Sequence, residues 1–199
     1  MLEIAKKLPN NDVVIEIKDG SAKIQAGRAV FDLHVMKAED YPALPTAEGA
    51  SITLPMDVLK ETISKVSFAA AADDSRAVLT GVLMEVKDGD MTMTATDSFR
   101  CAVRKVKAAG ELPKTVLPAR FLGEITKAPG KAVQLVLGGS WAQVVAGNVR
   151  YLSRLLEGEF PNVARVMPSE SGIPTWVTAD RDELLSAIDA LRWQYRDPA

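Results

Sequence analysis

The sequence predicts an α+β protein built from doubled strand–helix–strands units, with antiparallel sheets and two helices on one face of each domain. Three observations predict it. The stretch at 151–168, YLSRLLEGEFPNVARVMP, is an imperfect copy of FDLHVMKAEDYPALP at 31–45: Ala146-Gly147 follows Ala26-Gly27 by 120 residues, Tyr151 follows Phe31 by 120, and Glu159-Phe160-Pro161 follows Asp40-Tyr41-Pro42 by 119. A shorter spacing is nested inside this one, since Leu117-Pro118, Phe121-Leu122 and Glu124 follow Leu54-Pro55, Val58-Leu59 and Glu61 by 63. Between these landmarks run short alternating segments punctuated by Gly, Asn and Asp, the pattern of hairpins. A period of domain length indicates successive copies of a whole domain rather than a solenoid of helical hairpins.

Taken in order, residues 2–8 read as the end of a helix stopped by Pro9 and Asn10-Asn11. Residues 13–17, 22–25 and 29–35 alternate as antiparallel strands, the first two joined at Asp19-Gly20. The segment 37–49, holding Pro42, Pro45 and Gly49, is polar and irregular enough to be a linker. A strand at 51–54 leads through Pro55, suited to a first helical turn, into a helix to Val66 whose apolar face is Val58, Leu59, Thr62, Ile63 and Val66. Residues 78–87 and 91–106 read as two long strands joined by Asp88-Gly89-Asp90. After a turn at 110–114 the pattern restarts with Val116-Leu117-Pro118 and a helix over 118–128 that turns Phe121, Leu122 and Ile125 inward; strands at 133–137, 141–145 and 149–155 close this half. Past a linker at 169–174, Val177-Thr178, Asp182, Leu184 and Ile188 follow Ile52-Thr53, Asp57, Leu59 and Ile63 by 125. The expected division is therefore the second half of a first copy at 1–46, a complete second copy at 50–169, and the opening of a third at 173–199.

Composition bounds the chemistry. With 47% hydrophobic and 25% charged residues the chain has the composition of a soluble globular protein, and no apolar run approaches the ~20 residues of a membrane span. The amino terminus has no apolar stretch followed by a small-residue cleavage site, and Cys101 is the only cysteine, so the expected compartment is the cytoplasm and no internal disulfide or cysteine zinc site can form. A net charge of −2 and a pI near 5.6 exclude nucleic-acid binding by bulk positive charge; such contacts must be local.

Most candidate residues have plain structural readings. Thr96-Asp97 is a turn-forming pair, and lone arginines and helix-face lysines are solvated charges. His34, the sole histidine, lies in an alternating strand, which removes histidine-dependent triads. Asp88-Gly89-Asp90 lacks the later ligands of a calcium loop, and Cys101 reads as a small apolar side chain. A rival enzyme reading, with Asp97 and Glu85 as acid and base, has no glycine-rich phosphate loop or metal-spaced cluster behind it. A third reading is a purely structural repeat module that binds no peptide.

Three stretches carry a family resemblance along essentially the whole chain: Arg76-Ala77-Val78-Leu79-Thr80-Gly81-Val82-Leu83, then Thr94-Ala95-Thr96-Asp97-Ser98-Phe99-Arg100, then residues 155–168 with their Gly-Glu-Phe-Pro core. In order and spacing the chain resembles the bacterial sliding clamps, the beta subunits of DNA polymerase III. The resemblance implies a DNA-clamp fold, a three-domain subunit closing head to tail into a ring dimer around duplex DNA, and a processivity factor with no catalytic residues, cofactor or metal. It also implies that the replicative polymerase, the clamp loader and repair polymerases dock short peptides between the second and third domains.

The positions matching that groove are Leu79, Thr96, Ser98, Phe99, Arg100, Cys101, Pro161, Arg165 and Val166. Leu79, Pro161 and Val166 would line one pocket for Leu or Phe anchors, with Arg100 and Arg165 taking an acidic flank. Many family members carry Gly-His-Arg-Leu where Ser98-Phe99-Arg100-Cys101 stands here. The positions facing DNA would be Lys60, Lys65, Arg120 and Lys127 on the two helices, diluted by Glu61 and Glu124, with Arg76 at a helix-to-strand loop; such contacts are to phosphates and sequence-independent. With partial first and third copies, this 199-residue chain is expected not to close a ring by itself.

Overall fold

The computed structural model describes residues 2–9, 12–18, 20–169 and 172–191. The expected turn residues Asn10, Asn11 and Asp19, linker residues 170–171 and the end of the third copy beyond Leu191 lie outside them. Among the described residues four helices and eleven strands follow in the order α1 (Leu2–Ala5), β1 (Val13–Lys18), β2 (Ser21–Ala26), β3 (Ala29–His34), β4 (Ala50–Pro55), α2 (Met56–Val66), β5 (Gly81–Lys87), β6 (Asp90–Thr96), β7 (Cys101–Lys107), β8 (Leu112–Pro118), α3 (Ala119–Ile125), β9 (Ala132–Gly138), β10 (Trp141–Ala146), β11 (Val149–Arg154) and α4 (Arg181–Leu191).

The middle of the chain is held by an exchange of first strands. One sheet runs β11-β10-β9-β4 and the other β7-β6-β5-β8, so each half lends its opening strand to the other half's sheet. The two exchanges are equivalent in register: Leu54 pairs with Val133 in one sheet and Leu117 with Val82 in the other. Helix α2 packs against β6, β7 and β4, while α3 packs against β8 and β5 and touches α2, which puts both helices together on one face. Ile52, Leu54, Leu59, Ile63, Val82, Met93, Leu117, Leu122, Leu135 and Val144 all belong to one buried cluster spanning both halves. Met56 and Leu59 point inward, one helical turn from Ile63 and Val66, as the apolar spacing requires.

The first three strands form a separate sheet, β1-β2-β3. Its registers repeat those of β9-β10-β11 at a constant distance of 120 residues: Ile15 faces Ile24 as Leu135 faces Val144, and Ile24 faces Phe31 as Val144 faces Tyr151. The turns match too, because Gly27 and Gly147 take left-handed φ of 58° and 59°, which glycine adopts without a Cβ clash. Helix α4 begins at Arg181, 125 residues after the start of α2 at Met56.

Three sequence expectations are corrected. Residues 78–80 belong to a 3-10 segment, Asp74–Thr80, and not to β5: Asp73 accepts the Ser75 N–H at 3.0 Å at its start, and the Thr80 hydroxyl bonds back to the Ala77 carbonyl at 2.7 Å. The expected strand over 91–106 is a hairpin, β6 and β7 closing at Thr96–Cys101, because apolar alternation continues on both sides of the turn and conceals it. Both short helices also end early, α3 at Ile125, where the Thr126 hydroxyl bonds to the Gly123 carbonyl at 2.7 Å, and α1 at Ala5.

Candidate functional site

The β6–β7 turn is built by one carboxylate. Asp97 Oδ1 accepts the backbone N–H groups of Phe99 and Arg100 at 2.9 Å each, and its Oδ2 accepts Arg100 Nε at 2.9 Å. The Arg100 amide, then the Phe99 amide and the guanidinium, hold the Asp97 carboxyl below the usual carboxylate range. The Thr96 hydroxyl donates to the Arg100 carbonyl at 2.7 Å and accepts the Ser98 N–H at 3.1 Å, which fixes Ser98 at a left-handed φ of 82°. Arg76 reaches across from the 3-10 segment to donate to the Ser98 hydroxyl. The guanidinium of Arg100 stands 5.8 Å from the ring centre of Phe68, within cation–π range. Phe99 is left 99% exposed at the tip.

Of the groove residues the sequence pointed to, Thr96, Ser98, Phe99, Arg100 and Cys101 are thus gathered on one hairpin end, with Arg76 joining them. Partial burial pushes the Cys101 thiol up, so it stays protonated and apolar in character. Leu79 is only 2% exposed and offers a floor instead of a wall. Pro161, Arg165 and Val166 come from the stretch after β11, where Val163–Arg165 is a 3-10 turn and Val166 is 77% exposed. That stretch crosses beside Val78: Leu156 N–H donates to the Val116 carbonyl at 2.9 Å, and a Cβ built on Gly158 would lie 3.5 Å from Val78. Pro161 itself lines a groove of about 600 Å³ together with Leu83, Val116, Leu156, Phe160 and Val163. Leu79 and Val166 are not among its walls. Phe68 was missed from sequence because it sits just past α2 in a 3-10 turn, where no periodicity marks it.

The second surface is the α2–α3 face. Lys60 Nζ donates to the Ala128 carbonyl at 3.2 Å, tying α2 to the chain just past α3. Lys127 pairs with Glu124 at 2.9 Å, and Glu61 is drawn to Arg104 at 2.7 Å. Lys65 and Arg120 are exposed and make no ion pair among the described residues. Arg76, bonded to Ser98, belongs to the hairpin surface. Among the described residues no three metal-ligating side chains cluster, and no helix is long and apolar enough to cross a membrane.

Comparison with known proteins agrees with this geometry. The profile of the DNA polymerase III beta subunit central domain matches residues 53–162, and that of the N-terminal domain matches residues 1–45. The beta sliding clamp of Bacillus subtilis is 35% identical over 197 residues, covering 94% of this chain and 51% of the relative; that of Halalkalibacterium halodurans is 36% identical over 179 residues, covering 85% and 47%. The chain spans about half the length of the curated relatives it matches. Among solved structures, the B. subtilis sliding clamp superposes with a TM-score of 0.83 at 32% identity, over 99% of this chain and 53% of that one. A sliding clamp from Pseudomonas aeruginosa bound to griselimycin superposes at 0.81 and 29% identity, over 95% and 53%. The chain belongs to the DNA polymerase III beta subunit family.

Proposed function

We propose that the chain is part of a DNA sliding clamp, a non-catalytic cytoplasmic processivity factor that tethers the replicative polymerase to duplex DNA as a head-to-tail dimer in its full-length form. The proposed domains are 1–46, 50–169 and 173–199. The observation that carries the reading is the paired α2–α3 face, which presents Lys65 and Arg120 unpaired and Lys60 and Lys127 partly engaged. So few free cations, beside Glu61 and Glu124, suit weak contacts with phosphates that permit sliding.

Partner peptides of the polymerase, clamp loader and repair polymerases dock across Leu79, Thr96, Ser98, Phe99, Arg100, Cys101, Pro161, Arg165 and Val166. Support comes from the turn held rigid by Asp97, from the approach of Gly158 to Val78, the neighbour of Leu79 in sequence, and from the P. aeruginosa relative, whose structure holds griselimycin. The test is titration of a fluorescent polymerase-derived docking peptide into the chain. Binding should saturate, and the double variant Arg100→Glu, Val166→Asp should weaken it by about tenfold or more, since a buried Leu or Phe anchor contributes ~1.5 to 3 kcal/mol. No saturation, or equal affinity in a variant that melts normally, would overturn the groove.

A further inference from the structure

The two sides of the proposed groove come from distant parts of the chain, and we propose that one contact fixes their separation: the Leu156 side chain, seated over Gly81, positions Pro161, Arg165 and Val166 relative to the β6–β7 turn. Neither Gly81 nor Leu156 belongs to the docking set; their role is to place residues that do. The inference builds on the partner-groove reading.

Gly81 is where the two sides meet. It opens β5, and its N–H closes the 3-10 segment Asp74–Thr80 on the Val78 carbonyl. That segment carries Leu79, and through Arg76 it reaches the Ser98 hydroxyl in the β6–β7 turn. From the other direction Gly81 receives the chain leaving β11. A Cβ built on Gly81 would lie 2.7 Å from Leu156 Cδ1, 2.5 Å from Val116 Cγ1 and 2.9 Å from the Leu117 carbonyl oxygen, so any larger residue there displaces the leucine or distorts β8. The backbone at this seat is bonded to both halves of the domain. Leu155 N–H donates to the Ser140 carbonyl between β9 and β10 at 2.9 Å, and Leu156 N–H donates to the Val116 carbonyl on β8 at 2.9 Å. Leu155 packs on the buried cluster while Leu156 fills the space over Gly81. Farther along, the backbone bonds close on the segment itself: Val163 N–H donates to the Pro161 carbonyl at 2.9 Å, and the Val166 and Met167 N–H groups to the Val163 carbonyl at 3.1 Å each. Pro161, Arg165 and Val166 therefore form one folded piece, and the seat at residues 155–156 decides where that piece stands. A binding site is only as well placed as the contacts that support it.

Two variants of the full chain test this: Leu156→Ala empties the seat, and Leu156→Met refills it with a flexible side chain of similar volume. Each is measured twice, by the amide resonances of residues 163–167 without peptide and by titration of the fluorescent polymerase-derived docking peptide. Leu156→Ala should shift those resonances while β9 and β10 keep theirs, and it should weaken the peptide by about fivefold or more, within the range of coupling between neighbouring groups. Leu156→Met should keep the wild-type resonances and bind within about threefold of wild type, as volume-conserving swaps do. Resonances of 163–167 that stay in place in Leu156→Ala would overturn the proposal even if the peptide weakened, because Leu156 would then be touching the peptide itself. Shifted resonances with unchanged peptide affinity would overturn it as well. A wild-type chain that binds no peptide overturns the groove reading instead, and the peptide-free resonances alone then decide whether Leu156 places the segment.

Discussion

Two three-stranded units with one register behave differently. In β9–β11, Val133, Leu135 and Leu137 are 1%, 2% and 5% exposed, whereas their counterparts in β1–β3, Val13, Ile15 and Ile17, are 45%, 51% and 74% exposed. The registers and the left-handed glycines Gly27 and Gly147 coincide, so neither produces the burial. What differs is the edge: β4 pairs along β9 and extends its sheet, whereas β1 is the last strand of its own sheet among the described residues. Helices teach the same lesson, since α2 buries Leu59, Ile63 and Val66 while α4 exposes Leu184, Ile188 and Leu191. The middle strands do not differ, since β2 buries Ala22, Ile24 and Ala26 as β10 buries Ala142, Val144 and Ala146; what the exchange of first strands adds is burial of the edge strand, at roughly 25 cal/mol per Å² of apolar surface.

The comparison is broken most directly by truncating equivalent side chains. Leu135→Ala and Leu59→Ala should each cost the core unit about 2 to 5 kcal/mol in urea unfolding, through lost transfer energy and the cavity left behind. Ile15→Ala and Leu184→Ala should leave the same transition within about 0.5 kcal/mol, as exposed substitutions do. Equal costs at equivalent positions would mean that β1 and α4 are covered in solution.

Much of this was legible in the sequence because the chain aligns with itself. The 63-residue offset located β4, α2, β8 and α3, and the 120-residue offset located both three-stranded units. What stayed hidden was set by single polar contacts, which leave no periodicity. The β6–β7 turn was lost because alternation through Met91, Met93 and Ala95 resumes at Ala102, Arg104 and Val106, and only Asp97 with Ser98 at positive φ separates the strands. Its internal counterpart is the two-residue turn Gly147-Asn148, so residues 97–100 are an extension found in one half only. The candidate site was legible as a set of residues but not as an arrangement: the sequence grouped Leu79 with Pro161 and Val166 as walls, while Leu79 is only 2% exposed and can serve as a floor at most, and the Arg76–Ser98 link was invisible across 22 positions.

Smaller effects sharpen the comparison. Gly147→Ala forces a Cβ onto a left-handed residue and should destabilise the core unit by about 1 to 2 kcal/mol, while Gly27→Ala, at the same φ, should leave the core transition unchanged. Smaller still is the response of the β6–β7 turn to acid. Its Asp97 carboxyl is depressed in the folded state, so the stabilisation it gives is fully present above the ordinary carboxylate range and is lost as pH falls through the lowered value. The Phe99 and Arg100 amide resonances should therefore hold their positions through the ordinary carboxylate range and move only below it, and Asp97→Ala should abolish that step.

Native-state hydrogen exchange resolved by residue tests the central claim that cover of the edge strand, and not register, separates the two copies. The account predicts that amides of β9 and β10 exchange only through global unfolding of the core unit, while the paired amides of β1 and β2 open through a separate event of much lower free energy. Equal protection at positions 15 and 135, rising and falling together with denaturant, would contradict it.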